Sequence, residues 1–172
     1  MKPNSLTITK PEREDIAALT RLINSAYRGE SMRGWTSEGE YMEGLRVTGA
    51  DLEKLFNHPE TDNFKCCTPD EEIVGFVSLE KRPDYLHLGL LTVSPELQAA
   101  GIGRQLLEFA EAHARSIGKP AILMTVVNIR TELIAWYERR GYLATGETLS
   151  FPEKAGKPKV PVYLIEMKKE IG

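Results

Sequence analysis

Cysteine is nearly missing from this chain. Two are found among 172 residues, Cys66 and Cys67, and they are neighbours. Adjacent cysteines rarely bridge, because the disulfide strains the peptide between them. A disulfide-stapled scaffold is therefore excluded. Two reduced thiols in a strand, in a reducing compartment, are expected. Histidine is also scarce, with only His58, His87 and His113. None stands at metal-ligand spacing from another ligand, so no metal is expected. An excess of positive charge is missing too. The formal net charge is −3, so no global field draws nucleic acid or an anionic membrane, and neither is expected as a partner. No run approaches the ~18 apolar residues a membrane helix needs. "MKPNSLTITKPERED" has no apolar h-region, and a cytoplasmic protein is the expectation.

What is present is ordinary for a globular domain: 41% hydrophobic and 27% charged residues. A chain of this length buries roughly two-thirds of its unfolded surface as one domain, taken here as residues 1–172. "LTIT" (6–9) alternates as a strand. Acidic residues after Pro11 suit a helix start, and Ile16, Leu19, Ile23, Ala26 and Tyr27 follow at helical spacing up to Gly29. Residues 29–44 are broken by glycines and read as a loop or short irregular helix. Residues 48–60 read as a short helix stopped near Pro59. Strand patterns cover 63–68, 73–82 and 85–93, the first two joined as a hairpin by "PDEE". A helix runs to about Ile117. A buried strand (121–127), a helix (131–140) and two strands (142–151 and 160–169) complete the chain. The turn-rich "PEKAGKPK" connects the last two strands. The order predicts a single-domain α/β (α+β) fold. Its sheet is mixed and mostly antiparallel, with six to seven strands and about four helices.

One stretch stands out. "QAAGIGRQLLEFAEAHA" places Gly101 and Gly103 where a strand feeds a helix. The first amides of a helix lack intrahelical partners and sit at its positive end, so such a turn can hold an anion. The same glycines also fit a turn that merely needs positive φ, with small residues packing a helix on a sheet. The lysine-serine of a P-loop is absent. So is the third glycine of a dinucleotide fingerprint, since Leu106 stands there.

The run "LLTVSPELQAAGIGRQLL" resembles the acetyl-coenzyme A site of the GNAT acetyltransferase superfamily. The family pattern is Gln/Arg-x-x-Gly-x-Gly/Ala after a Leu-x-Val-x-Pro strand. Downstream, "NIRTELIAWYERRGY" is similar to its Asn…Tyr-x-x-x-Gly-Phe/Tyr segment. The resemblance covers about residues 6–169. It implies an acetyl-coenzyme A-dependent N-acetyltransferase. Such an enzyme moves an acetyl group by direct attack to a primary amine of a small molecule or a protein. The alternative is a non-catalytic acetyl-coenzyme A-binding sensor or interaction domain.

The resemblance places the pyrophosphate on the amides of Gln98, Ala99, Ala100, Gly101, Ile102, Gly103 and Arg104. Gln98 stands where many members carry arginine, so binding should lean on the backbone. The pantetheine arm is expected along Leu91, Thr92 and Val93, with Asn128 beside it. Asn128 also fits a plain turn or cap asparagine. Tyr137 matches the tyrosine near the thioester sulfur. A phenol of pKa ~10 stays protonated and can donate to a leaving thiolate. Its helical spacing beside Leu133 and Trp136, taken alone, reads as a core aromatic, and it is the resemblance that turns the reading toward catalysis.

The strand at 85–93 lacks the family's usual glutamate. His87 is the stand-in for a general base, read as sharing a face with Gly89, Leu91 and Val93. A sheet-face histidine with no role, or a water chain, stays open. The acceptor side is expected from Trp35, Glu38, Glu40, Tyr41 and Arg46. An aromatic with acids suits an amine cation, and Arg46 suits a carboxylate. Charged positions such as Glu108, Glu111 and Arg115 read as solvated. The apolar last strand "VPVYLIEM" offers an edge for a homodimer.

Overall fold

The structure is a computed structural model and describes residues 5–28 and 42–172. In chain order the elements are β1 (Thr7–Thr9), α1 (Ile16–Arg28), β2 (Met42–Glu43), α2 (Gly49–Asn57), β3 (Thr61–Cys67), β4 (Ile73–Lys81) and β5 (Leu86–Val93). They continue with α3 (Ile102–Ser116), β6 (Ala121–Val127), α4 (Thr131–Glu138), β7 (Leu143–Ser150), β8 (Lys157–Pro158) and β9 (Tyr163–Glu170). The expected mixed, mostly antiparallel α/β architecture is what forms. A seven-stranded sheet runs in the order β1-β3-β4-β5-β6-β9-β7. Among the described residues its one parallel pair is β5 with β6.

Each element follows from its local sequence. Thr48 accepts a hydrogen bond from the Asp51 amide while Asp51 accepts from the Thr48 amide, a capping box that starts α2. The apolar stripe of α1 buries Leu19, Ile23 and Ala26. Leu19 and Ile23 form a small core with Val47, Leu52 and Phe76 on one face of the sheet. On the other face α3 and α4 bury Ile102, Leu106, Leu107, Leu133 and Trp136 against the strands. β6 is buried along nearly its whole length, as a central strand covered on both faces must be.

Three expectations are corrected. β9 lies between β6 and β7 and offers no edge, so a dimer cannot pair through it; the edges are β1 and β7. The polar connection 152–159 is not only a turn. Its β8 pairs with β2 through Met42↔Pro158 and Glu43↔Lys157, a ribbon unseen in the sequence because each half is two residues long. Glu111 is not simply solvated, whereas Arg115 is exposed as expected. Glu111 is buried and accepts hydrogen bonds from Tyr142 at 3.0 Å and from Lys169 at 2.9 Å. Arg115 donates to the Ile171 carbonyl. Cys66 and Cys67 are free thiols buried in β3. Among the described residues no helix is long and apolar enough to cross a membrane.

Candidate acetyl-transfer site

The sheet opens where chemistry was expected. β5 and β6 pair only at Leu86↔Ile122 and His87↔Leu123. Past that point the two strands diverge. Leu88 to Leu91 on one side and Met124 to Val127 on the other line a cleft. The divergence has a local cause. Leu90 adopts a left-handed φ of 51°, and the β4–β5 register slips between Phe76 and Ser78. This is a bulge, which bends the strand that carries it. Two hydroxyls brace it: Thr92 Oγ1 donates to the Leu90 carbonyl at 2.8 Å, and the Tyr27 hydroxyl donates to the Leu91 carbonyl at 3.0 Å. Of the three residues expected along the arm, Leu91 lines the cleft. Thr92 and Val93 are buried beyond it, paired to Phe76 and Gly75.

The bulge also overturns the expected phase of β5. One extra residue moves everything after it to the opposite face. His87 and Gly89 pair with Glu80 and Ser78. Leu91 and Val93 instead join the α3 core with Leu86 and Leu88. His87 therefore does not share a face with Leu91 or Val93.

At the end of β5, residues Pro95–Ala100 make a 3-10 turn and Gly101 reverses the chain at φ +80°. Only glycine takes that φ without strain. A Cβ at Gly101 would meet nothing within 4 Å, so the turn presents an open backbone face. The first amides of α3 follow, and Gln105 donates back to the Gly101 carbonyl at 3.1 Å. Gly103 differs in kind. A Cβ there would sit 3.6 Å from Trp136 and Val93, so it packs the helix. Ile102 anchors the turn in the core, while Ala100 and Arg104 are exposed. Arg104 faces Glu108 at 3.7 Å. The side chains of Gln98 and Ala99 lie outside the described residues.

Tyr137 lines the cleft from α4 together with Arg130, Leu133 and Tyr27. Burial pushes its hydroxyl above the ordinary phenol range, the Tyr27 phenol adds to the shift, and Arg130 draws it slightly back. It is therefore a proton donor throughout the neutral range. Tyr137 is at once a core aromatic and a residue of the cleft wall. It packs edge-on to Trp136 and Tyr142, with ring centroids 5.1 and 5.8 Å away, and it also lines the opening.

His87 lines the same cleft. Burial pulls its imidazole below the ordinary value; Glu80 opposes this, Arg82 adds to it, and Glu166 opposes it. A carboxylate does stand opposite it on β4, since Glu80 is the direct cross-strand partner of His87. Arg82 holds that carboxylate at 2.6 Å. Tyr27, Glu80 and Arg130 were not singled out from the sequence. A short "RPDY" turn between two strands fixes the pairing of Glu80 with His87, so hairpin register could have found it. Tyr27 was visible only as the last residue of an apolar stripe.

Asn128 does not line the cleft. Its Oδ1 accepts from the Tyr163 amide at 3.0 Å while its own amide donates to the Tyr163 carbonyl at 2.9 Å, extending the β6–β9 ladder. Arg46 does line the cleft. Its backbone amide donates to Asn24 Oδ1 at 2.7 Å, and its guanidinium lies 5.4 Å from the Tyr27 ring centroid. Trp35, Glu38, Glu40 and Tyr41 lie outside the described residues.

Known proteins carry the same frame. The model of the acetyltransferase (GNAT) family matches residues 18–142. Over 118 residues the chain is 30% identical to a peptidyl-lysine N-acetyltransferase of Salmonella typhimurium, covering 67% of this chain and 74% of the relative. A ribosomal-protein-alanine N-acetyltransferase from Escherichia coli superposes with a TM-score of 0.72 at 18% identity, over 97% of this chain and 94% of that one. A spermidine N-acetyltransferase from Vibrio cholerae, solved with coenzyme A and spermine, gives 0.72 at 18% identity, over 98% and 96% of the two chains. These two likenesses speak for the fold. Family match and sequence kinship carry the rest: the chain belongs to the acetyltransferase (GNAT) family and is an N-acetyltransferase enzyme.

Proposed function

We propose that this protein transfers the acetyl group of acetyl-coenzyme A to a primary amine by direct attack, in the cleft between β5 and β6. The observation that carries the reading is the opening of that pair after His87↔Leu123, with Tyr137 and His87 lining one cavity of about 160 Å³. The frame fits the coenzyme: a splayed strand edge suits an extended amide-bearing arm, and the open Gly101 turn at the start of α3 suits a pyrophosphate.

When bound, acetyl-coenzyme A supplies an activated thioester carbonyl. The chain's own groups then have three tasks. His87, held neutral by its burial, takes a proton from the acceptor ammonium and frees the amine lone pair. Glu80 opposite it steadies the imidazolium that results. Tyr137, held protonated, donates to the sulfur as the carbon–sulfur bond breaks. Direct attack is supported by the cleft lining, which among the described residues includes no cysteine, serine or lysine to carry the acetyl group covalently. The turn amides around Gly101 to Arg104 hold the far end of the coenzyme. The acceptor enters from the side of Arg46.

Thiol release from acetyl-coenzyme A, followed across amines, amino acids and peptides, tests this directly. Turnover with at least one acceptor is expected, and Tyr137→Phe should lower kcat by about 10²-fold or more with coenzyme affinity little changed, the range of one lost general acid. No release with any acceptor, or an unaltered rate in Tyr137→Phe, overturns the reading.

A further inference from the structure

Arg46 stands where three recesses meet. It lines the β5–β6 cleft. It lines a second recess with Thr61, Ser78, Glu80, His87 and Leu90. It also lines a third, of about 280 Å³, with Val47, Leu52, Leu55, Leu90, Pro152 and Lys154. Arg46 and Leu90 are common to all three, so one small molecule placed over Leu90 reaches the thioester cleft, the His87–Glu80 pair and the third recess together.

The charges in these recesses are sorted. Among the described residues no carboxylate stands within ion-pair distance of the Arg46 guanidinium, which rests against the Tyr27 ring. Its position is nonetheless fixed. Asn24 grips the chain here, accepting from the amides of Arg46 and Val47 at 2.7 and 3.1 Å and donating to the Val47 carbonyl at 2.8 Å. The third recess adds a second cation, Lys154. Its one acid, Asp51, is committed to the α2 capping box through the Thr48 amide at 2.9 Å. The rest of that recess is aliphatic. A guanidinium with an open fork prefers a carboxylate, which it binds through two parallel hydrogen bonds. The only acid among the residues lining the second recess is Glu80, next to His87.

We infer that the acceptor is an amine that also carries a carboxylate and an apolar body, of the apolar amino-acid class. Its amine lies at His87, its carboxylate on Arg46, and its body against Leu52, Leu55, Leu90 and Pro152. This rests on the acetyl-transfer reading above and narrows it. A polycation such as spermidine would bring its second charge toward Arg46 and Lys154, where like charges repel.

Matched pairs test it: phenylalanine against phenethylamine, leucine against isopentylamine, with spermidine alongside, each scored by kcat/KM for thiol release. The carboxylate-bearing member should win by about tenfold or more, the size of one charge-assisted hydrogen-bonded contact. Arg46→Gln should collapse that ratio, and Arg46→Lys should retain part of it, which separates lost recognition from lost folding. Equal turnover within each pair, a preference for spermidine, or a ratio untouched by Arg46→Gln overturns the inference while leaving acetyl transfer intact. No thiol release with any of these or with peptides would instead remove the acetyl-transfer reading, and the inference with it.

Discussion

At the residue scale, two side chains in one cleft are pushed by burial toward complementary states. The phenol of Tyr137 holds its proton more tightly, and the imidazole of His87 holds its proton less tightly. Both shifts follow from the cost of a charge in a poorly solvated place. They leave an acid and a base ready at neutral pH. The His87 shift has a sign that kinetics can read. A base must be neutral, and a lowered pKa keeps His87 neutral further into the acid range. The acid limb of kcat/KM should therefore fall below the ordinary imidazole value of ~6.5. Glu80→Gln removes an influence that raises His87, so the limb should move lower still. A limb that stays in place in His87→Gln, measured with one acceptor of fixed pKa, would mean that the proton goes elsewhere. Tyr137 was legible in the sequence because one helix and a motif carry it. Glu80 was not, because its meaning comes from the strand beside it.

At the element scale, the glycine turn and the β5 bulge contrast in what a sequence can reveal. Gly101 was readable because only one residue type fits a left-handed turn at a helix mouth. The bulge at Leu90 was not, because a leucine at φ 51° carries no compositional mark. Missing it placed His87 on the wrong face relative to Leu91 and Val93. The two glycines of α3 can be told apart by substitution. A side chain at Gly101 costs about 1–2 kcal/mol in backbone strain and projects into open space over the amides. Gly101→Val should therefore weaken coenzyme A binding by about tenfold or more in calorimetry, the effect of losing one or two charge-assisted hydrogen bonds. Gly103→Ala makes only ordinary contacts with Trp136 and Val93, and binding should change little. Equal damage from both would detach the pyrophosphate from the turn.

At the scale of the whole molecule, a buried polar knot joins distant parts of the chain. Glu111 on α3 receives Tyr142, at the foot of β7, and Lys169 on β9. Tyr142 is fully buried, and that burial, with the Glu111 carboxylate beside it, pushes its hydroxyl well above the phenol range. Glu111→Leu strands a buried hydroxyl and an ammonium at once. It should cost about 3–5 kcal/mol in urea unfolding, the range for breaking a buried pair from one side. Tyr142→Phe leaves the ion pair whole and should cost less, about 1.5–3 kcal/mol, one hydrogen bond to a charged group. Near-equal costs would show that the ring packing matters and the charges do not. The spacing of α3 did hold this information: Glu111 falls four residues after Leu107 and three before Ala114, on the apolar stripe.

The short β5–β6 seam has a consequence for how the chain assembles. β3, β4 and β5 form a meander of neighbouring hairpins, whose loops close at small entropic cost. β9 must return past α4 and β7 to reach β6, a far longer closure. The two halves of the sheet therefore differ in the sequence distance their pairings span. With only two residue pairs across that seam, little backbone pairing holds the two halves of the sheet together there, and α3 is the strap that runs from one to the other.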